Sequence, residues 1–252
     1  MTDTINNKQK IAIIGSGISG LTCGHLLSEQ HEITLFEANN YLGGHTNTED
    51  IQLGGKSYPV NTGFIVFNDW TYPNFIKLMD QLGVASEDSD MSFSVRDENN
   101  GLEYNGTNLN SLFAQRLNVL KPSFIRMILD ILKFNDQTVS ALNNDEIQEG
   151  QTLGEFVKKH GYSKHFVNHY IVPMGSAIWS ASVDVMMDFP LKFFLKFFNN
   201  HGMLSVDDRP QWRVITGGSR SYIKPITQRF EDRIHLSVPV KKVIRKDTGV
   251  TL

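Results

Sequence analysis

The sequence predicts an α/β protein in which a lobe built on a parallel sheet is interrupted by a mainly helical α+β insertion. Three observations carry this. Strand, helix and strand patterns follow one another within the first forty residues. A long run of helical periodicity comes next, and strand, helix and strand then return at Trp212–Ile215, Ile223–Phe230 and Ile234–Ile244.

Each element has a local cause. Lys10–Ile14 is β-branched and stops at Gly15, as a buried strand does. Ile18–Gln30 has helical spacing, with Leu21, Leu26 and Leu27 as its expected core positions, and Cys23 is expected to join that core. His31–Glu37 is the second strand, and a crossover this short implies parallel pairing. Gln52–Val60 reads as a hairpin turning at Gly54-Gly55. Tyr72–Leu82 reads as a helix ending at Gly83. Met91–Val95 and Leu102–Tyr104 flank Asn99-Asn100-Gly101, a hairpin turn. Beyond Asn108 the pattern is helical. Pro122 opens a helix expected to carry Ile125, Ile128, Leu129, Ile131 and Leu132, and Asn143–Gly150 is a polar loop. The expected segments are 1–68 and 205–252 for the lobe and 69–204 for the insertion.

The chemistry is concentrated at the first turn. Gly15-Ser16-Gly17-Ile18-Ser19-Gly20 follows a strand and opens a helix. There Gly15 permits the turn, Gly17 admits a pyrophosphate to the backbone, and Gly20 allows close helix–strand contact, the Rossmann-like arrangement. Glu37 closes the second strand, where a carboxylate accepts hydrogen bonds from both ribose hydroxyls and repels a 2′-phosphate. Gly43-Gly44 then lets a second loop reach the pyrophosphate without Cβ clashes.

These residues resemble the flavin-containing amine oxidase superfamily, with its protoporphyrinogen oxidase and phytoene desaturase-like enzymes. The signature is GxGxxG, a strand-end Glu, then Gly-Gly-Arg. More narrowly, Asp90–Tyr104, Trp179–Asp188 and Arg209–Tyr222 resemble an uncharacterised bacterial branch of predicted NAD/FAD-binding proteins. The resemblance implies FAD as cofactor, held by Gly15, Ser16, Gly17, Ile18, Ser19, Gly20, Glu37, Ala38, Gly43, Gly44 and His45. It adds Thr62, Gly63 and Phe64 beneath the flavin ring, and Val240 at the adenine. Two positions depart from the pattern: His45 replaces the usual arginine, and Asn61 stands where an acidic residue is common. Family members run on for roughly another domain beyond Leu252. The resemblance therefore implies a truncated or a split polypeptide, and in the split case a C-terminal continuation on a separate chain.

Composition narrows the function classes. Lys plus Arg is 24 and Asp plus Glu is 27, a net charge of −3, which argues against a nucleic-acid surface. One cysteine excludes an internal disulfide framework. With no export signal and no long apolar run, the expected address is cytoplasmic.

The substrate is expected beside Phe64–Asn68, with Tyr72, Trp179, His201, Trp212 and Arg213 as lining candidates. Core packing is the favoured reading of both tryptophans. No catalytic residue is assigned. His160, His165 and His169 invite a metal reading, but their helix is rich in core residues and no metal is expected. Phe189–Phe198 reads as a buried helix with two solvated lysines, Lys192 and Lys196, in preference to a membrane-surface contact. Asn105-Gly106-Thr107 reads as a turn. The expected function is a FAD-dependent oxidoreductase taking hydride from a C–C or C–N bond of a small or acyl-chain, apolar substrate. The alternatives are a FAD-dependent isomerase or mutase without net oxidation, and an inactive truncated or split FAD-binding subunit.

Overall fold

The computed structural model describes residues 8–205 and 209–252. The chain starts with β1 (Lys10–Ile14), α1 (Ile18–Leu27) and β2 (Glu32–Phe36). β1 and β2 pair in parallel, with Ile11 opposite Ile33 and Ile13 opposite Leu35. α1 buries Leu21 and Gly24, whereas Leu26 and Leu27, expected in the core, are 56% and 36% exposed. The cause is Gly24: a Cβ there would come within 2.6 Å of the Phe230 ring, so the helix presses its glycine face onto that ring. The leucines lie off this face. Cys23 is also exposed, contrary to expectation.

The expected hairpin is β3 (Thr48–Leu53) and β4 (Lys56–Asn61), and β5 (Phe67–Asn68), α2 (Pro73–Leu82) and β6 (Ser86–Ser89) follow. α2 has proline in its first turn and ends at Gly83 in the left-handed conformation. The second hairpin is β7 (Ser94–Asp97) with β8 (Leu102–Asn105). Helices then run Pro122–Asn143, Leu153–Lys159, Val172–Trp179, Val183–Met187 and Leu191–Asn200, with a π-helical turn at Val167–Ile171. The chain returns through β9 (Trp212–Ile215), a helix Ile223–Thr227, β10 (Ile234–His235), and a hairpin of β11 (Ile244–Lys246) and β12 (Gly249–Thr251).

β10 joins β2 in parallel, giving the order β1-β2-β10. The strand expected over Ile234–Ile244 stops at His235, because Ser237 takes a left-handed φ of 58° and Pro239 has no N–H to donate. β9 is the centre of a second, antiparallel sheet between β5 and β6.

The chain divides into two compact units, one comprising the described residues up to Ser89 with Trp212–Leu252, the other those of Asp90–Gln211. This moves the expected boundaries at 68 and 204. β5 and β6 both pair with β9, and Phe67, Leu78 and Met79 share one core with Ile13, Leu21, Ile215 and Phe230. Residues 69–89 therefore belong to the lobe.

The second unit has its own core, including Phe124, Phe134, Phe166, Phe194 and Phe198. Helix Pro122–Asn143 buries Phe124, Met127, Asp130, Phe134 and Thr138, while Leu129 and Leu132 are exposed, against expectation. Asp130 orients this face: it accepts Arg126 Nε at 3.0 Å and the Ser163 N–H at 2.9 Å. Helix Leu191–Asn200 buries Leu191, Phe194, Leu195 and Phe198; Lys196 and Phe193 face out, and Lys192 pairs with Asp145 at 2.9 Å. Among the described residues no helix is long and apolar enough to cross a membrane.

Candidate functional site

The first glycine turn sits at the C-terminal end of β1. Gly15 N–H donates to Phe36 O at 2.8 Å, binding the turn to the end of β2. A Cβ on Gly20 would run into the carbonyl oxygen of Gly15, so only glycine lets α1 start this close to the turn. Gly15 and Gly17 behave differently: a Cβ on either would meet nothing within 4 Å, so open space lies in front of the turn. Gly17 is the N-cap of α1 and has no side chain to cap with. The first N–H groups of the helix, from Ile18, Ser19 and Gly20, are left for an anion, aided by the helix dipole.

Glu37 is 6% exposed and Ser16 is fully buried. Oε2 of Glu37 accepts the Ser16 N–H at 2.8 Å and the Ser16 hydroxyl at 2.5 Å, and Oε1 accepts the Asn39 N–H at 2.8 Å. Burial pushes the Glu37 carboxyl up, but these hydrogen bonds outweigh it and hold the group below the usual range, hence ionised. Ala38 is exposed beside it.

The second glycine loop closes on the first. Gly43 N–H lies 3.1 Å from Ser16 O and 3.2 Å from Ser16 Oγ, and Gly17 and Gly43 form a parallel bridge. Gly44 lies so near that its Cβ would reach 3.1 Å from Gly17 Cα. The carbonyl of His45 accepts the Phe64 N–H at 2.9 Å, and a Cβ on Gly63 would strike it, so segments 43–46 and 62–64 run backbone to backbone. The His45 side chain itself is exposed, as is Thr62. Phe64 packs edge-on against Phe75 and Tyr72.

The chain after β10 passes alongside: Ser237 N–H donates to Asn39 O and Val238 N–H to Glu37 O, both at 2.9 Å. Val240 follows, half-buried and outside any strand. The structure thus brings the sequence-selected residues 15–20, 37, 43–45 and 62–64 into one continuous backbone arrangement, with the approach to Val240 on its flank.

Sequence reasoning missed the side chains that lock this arrangement. Asn61 Oδ1 accepts the Ser219 N–H and the Thr48 hydroxyl, each at 2.9 Å, and Thr46 hydrogen-bonds Tyr222. The only signal in the sequence is the pairing of small hydroxyl residues with glycine-rich turns, as in Gly217-Gly218-Ser219. The lining candidates separate. In the lobe, Arg213 is held by Asp88 Oδ1 at 2.8 Å and Ser86 Oγ at 3.0 Å, and Tyr72 occupies the N-cap position of α2. In the second unit, Trp179 stacks among Phe189, Phe194, Phe197 and Phe198, and His201 stacks on Phe197. His169 bonds Asp97 at 2.9 Å, and no cluster of three metal-ligating side chains occurs among the described residues. Asn105 accepts the Thr107 N–H at 2.8 Å, the expected turn.

The family model described as flavin containing amine oxidoreductase matches residues 18–252. The chain belongs to the flavin-containing amine oxidoreductase family. The cofactor of the family is FAD, and the open cradle at Gly15 and Gly17 with its uncapped helix start fits a pyrophosphate. Among similar proteins, an L-amino-acid oxidase of Siganus canaliculatus is 23% identical over 266 residues, 98% of this chain and 46% of the relative. A 4,4'-diapophytoene desaturase (4,4'-diaponeurosporene-forming) of Staphylococcus aureus (strain Newman) is 49% identical over 61 residues, 24% of this chain and 12% of the relative. In fold, cyclohexylamine oxidase from Brevibacterium oxydans IH-35A superposes with a TM-score of 0.68 at 19% identity, over 96% of this chain and 53% of that one. The chain thus spans about half the length of the oxidases it matches.

Proposed function

We propose that this amine oxidoreductase family member binds FAD at the Gly15–Gly20 turn and serves a hydride-removing reaction on a C–C or C–N bond of a small or lipid-like apolar substrate. The carrying observation is the convergence of Ser16, Glu37 and Gly43 on one point, beside the uncapped start of α1. On this reading the N–H groups of α1 neutralise the pyrophosphate, Glu37 takes the adenosine ribose, and Val240 flanks the adenine. His45, Thr62, Gly63 and Phe64 form the backbone platform under the ring. Bound FAD supplies a two-electron acceptor for hydride. The lone Cys23 favours a reducing, cytoplasmic setting.

The relatives support both bond types, one being an amino-acid oxidase and the other a desaturase. The test is to produce the chain with FAD, alone and with a polypeptide continuing the family's C-terminal pattern, and to record flavin absorbance. The expected preparation is yellow and bleaches anaerobically with an amine, amino-acid or unsaturated acyl substrate, consuming acceptor stoichiometrically. A colourless chain in both formats overturns the cofactor site. Turnover of substrate with no acceptor consumed overturns the oxidoreductase in favour of an isomerase.

A further inference from the structure

At the start of helix Pro122–Asn143 the usual sidedness of a protein surface is reversed. The 3-10 turn Arg116–Leu120 runs straight into this helix, whose Phe124 and Ile125 N–H groups donate to Lys121 O. In that turn it is the amide that points inward: Asn118 is fully buried and donates to Gln115 Oε1 at 3.1 Å. Leu117, Val119 and Leu120 are instead 72%, 54% and 76% exposed. Gln115 anchors the turn from its other side, accepting the Glu103 N–H at 3.1 Å and donating to Gly101 O at 2.8 Å. The hydrogen bonds that fix the turn thus hold its apolar side chains out, and rolling them inward would strip Asn118 and Gln115 of their partners.

The outer face of the helix continues this surface. Ile125, Leu129 and Leu132 stand at i, i+4 and i+7, and both leucines are exposed. Leu109 is exposed on the short helix Leu109–Leu112, which Arg116 ties to the turn by donating to Asn110 O and Oδ1. Single exposed leucines are ordinary, but a run of them on connected elements marks a contact surface.

Charge selects the partner. Between Gly106 and Asn135 stand Arg116, Lys121, Arg126 and Lys133 against one acid, Asp130, a net +3 in a chain whose total is −3. Asp130 is buried, so the segment exposes no carboxylate, and Glu103 before it pairs with Arg96 at 3.4 Å. A second copy would set one basic surface against another, which disfavours self-association through this face. An anionic bilayer matches both features: leucines enter the acyl boundary, and the long basic side chains reach the headgroups.

We propose that this face docks on an anionic membrane surface, through Leu117, Leu120, Leu129 and Leu132 with Lys121 and its basic neighbours. The contact lies along the bilayer, since no helix among the described residues can cross it. It is independent of the FAD reading.

Cosedimentation of the full chain with lipid vesicles tests this. The chain is expected to partition about tenfold or more strongly onto phosphatidylglycerol mixed with phosphatidylcholine than onto phosphatidylcholine alone, and to come off in high salt. Leu117→Ser combined with Leu120→Ser should weaken binding about tenfold or more, and Lys121→Glu several-fold. Leu53→Ser removes a comparably exposed leucine beside the Gly54-Gly55 turn and should leave binding unchanged. Equal partitioning onto both vesicles overturns the proposal, an arm that needs no variant to fold. So does a folded double leucine variant that binds as the wild type does. Dimerisation that depends on these leucines, without vesicle binding, assigns the face to a second copy. Vesicle binding that disappears when the chain is produced with a polypeptide continuing the family's C-terminal pattern assigns the face to the protein interior. Either result overturns the membrane contact.

Discussion

Asn61 and Ser219 stand far apart in the sequence, yet Asn61 Oδ1 accepts the Ser219 N–H at 2.9 Å and its hydroxyl at 3.2 Å. This pair ties the end of β4 to the Gly217-Gly218 turn. Gly218, with φ 91°, is pressed so close to Thr48 and Asn61 that no side chain fits there. Asn61→Ala is expected to destabilise the chain by about 1–2 kcal/mol, because a partly buried N–H loses its acceptor. Asn61→Asp keeps the acceptor and should lose less. Urea midpoints decide; equal losses in the two variants would place the role elsewhere.

Two glycines of one motif should fail in opposite ways. Gly20→Ala drives a Cβ into Gly15 O, and about 3 kcal/mol or more of stability is expected to go. Gly17→Ala fills open space at φ −64°, which alanine tolerates, so stability should change by less than about 0.5 kcal/mol. The same methyl occupies the cradle, and FAD affinity should fall about tenfold or more. Thermal melts and flavin fluorescence titration separate the two effects.

Glu37→Ala should weaken FAD by about 1–3 kcal/mol and also lower stability by a similar amount, since the buried Ser16 N–H loses its acceptor. A variant that binds FAD normally would show that the ribose is held without this carboxylate.

Acid should destabilise the chain in two stages. His25, His160 and His165 are pushed down, chiefly by burial, so the fold keeps them neutral. Their contribution is present above the unfolded value of about 6.5 and is lost as pH falls below it. Asp97 is held below its ordinary value, first by the hydrogen bond with His169 and then by the Asn99 N–H. Its contribution is present above about 3.9 and is lost as pH falls through the depressed folded value. Asp97→Asn should shrink the lower stage, to which Glu37 and Asp130 also contribute, and slightly deepen the upper one, because Asp97 partly offsets the lowering of His165. Denaturant midpoints across the acid range check this, and an unaltered lower stage in the variant counts against it.

The glycine turn, its strand-end carboxylate and the second glycine pair were legible in the sequence because each is a local demand of backbone geometry. Gly20 must be glycine wherever a helix starts against its own turn. What stayed hidden depends on partners remote in sequence. Nothing near Leu26 announces that Gly24 meets Phe230. The apolar residues of Pro122–Asn143 outnumber its buried face, and that face includes a carboxylate, Asp130, satisfied by Ser163. The lobe boundary at Ser89 is set by β9, which pairs with both β5 and β6. The Ser16 hydroxyl was counted as part of a motif, and its occupation of Glu37 emerges only in three dimensions.

The parallel sheet also dictates an order of assembly. β2 is complete by Phe36, but its second neighbour, β10, begins at Ile234. A ribosome that has delivered the chain through Gln211 has made every residue of the second unit, while the lobe still lacks β9 and β10. The contiguous unit is therefore free to fold during translation, and the split lobe closes afterwards. Until then β1, β2 and the glycine turn wait on the longest-range strand pairing among the described residues, the slow kind. Maturation of the nucleotide cradle is timed by the arrival of Trp212–Leu252.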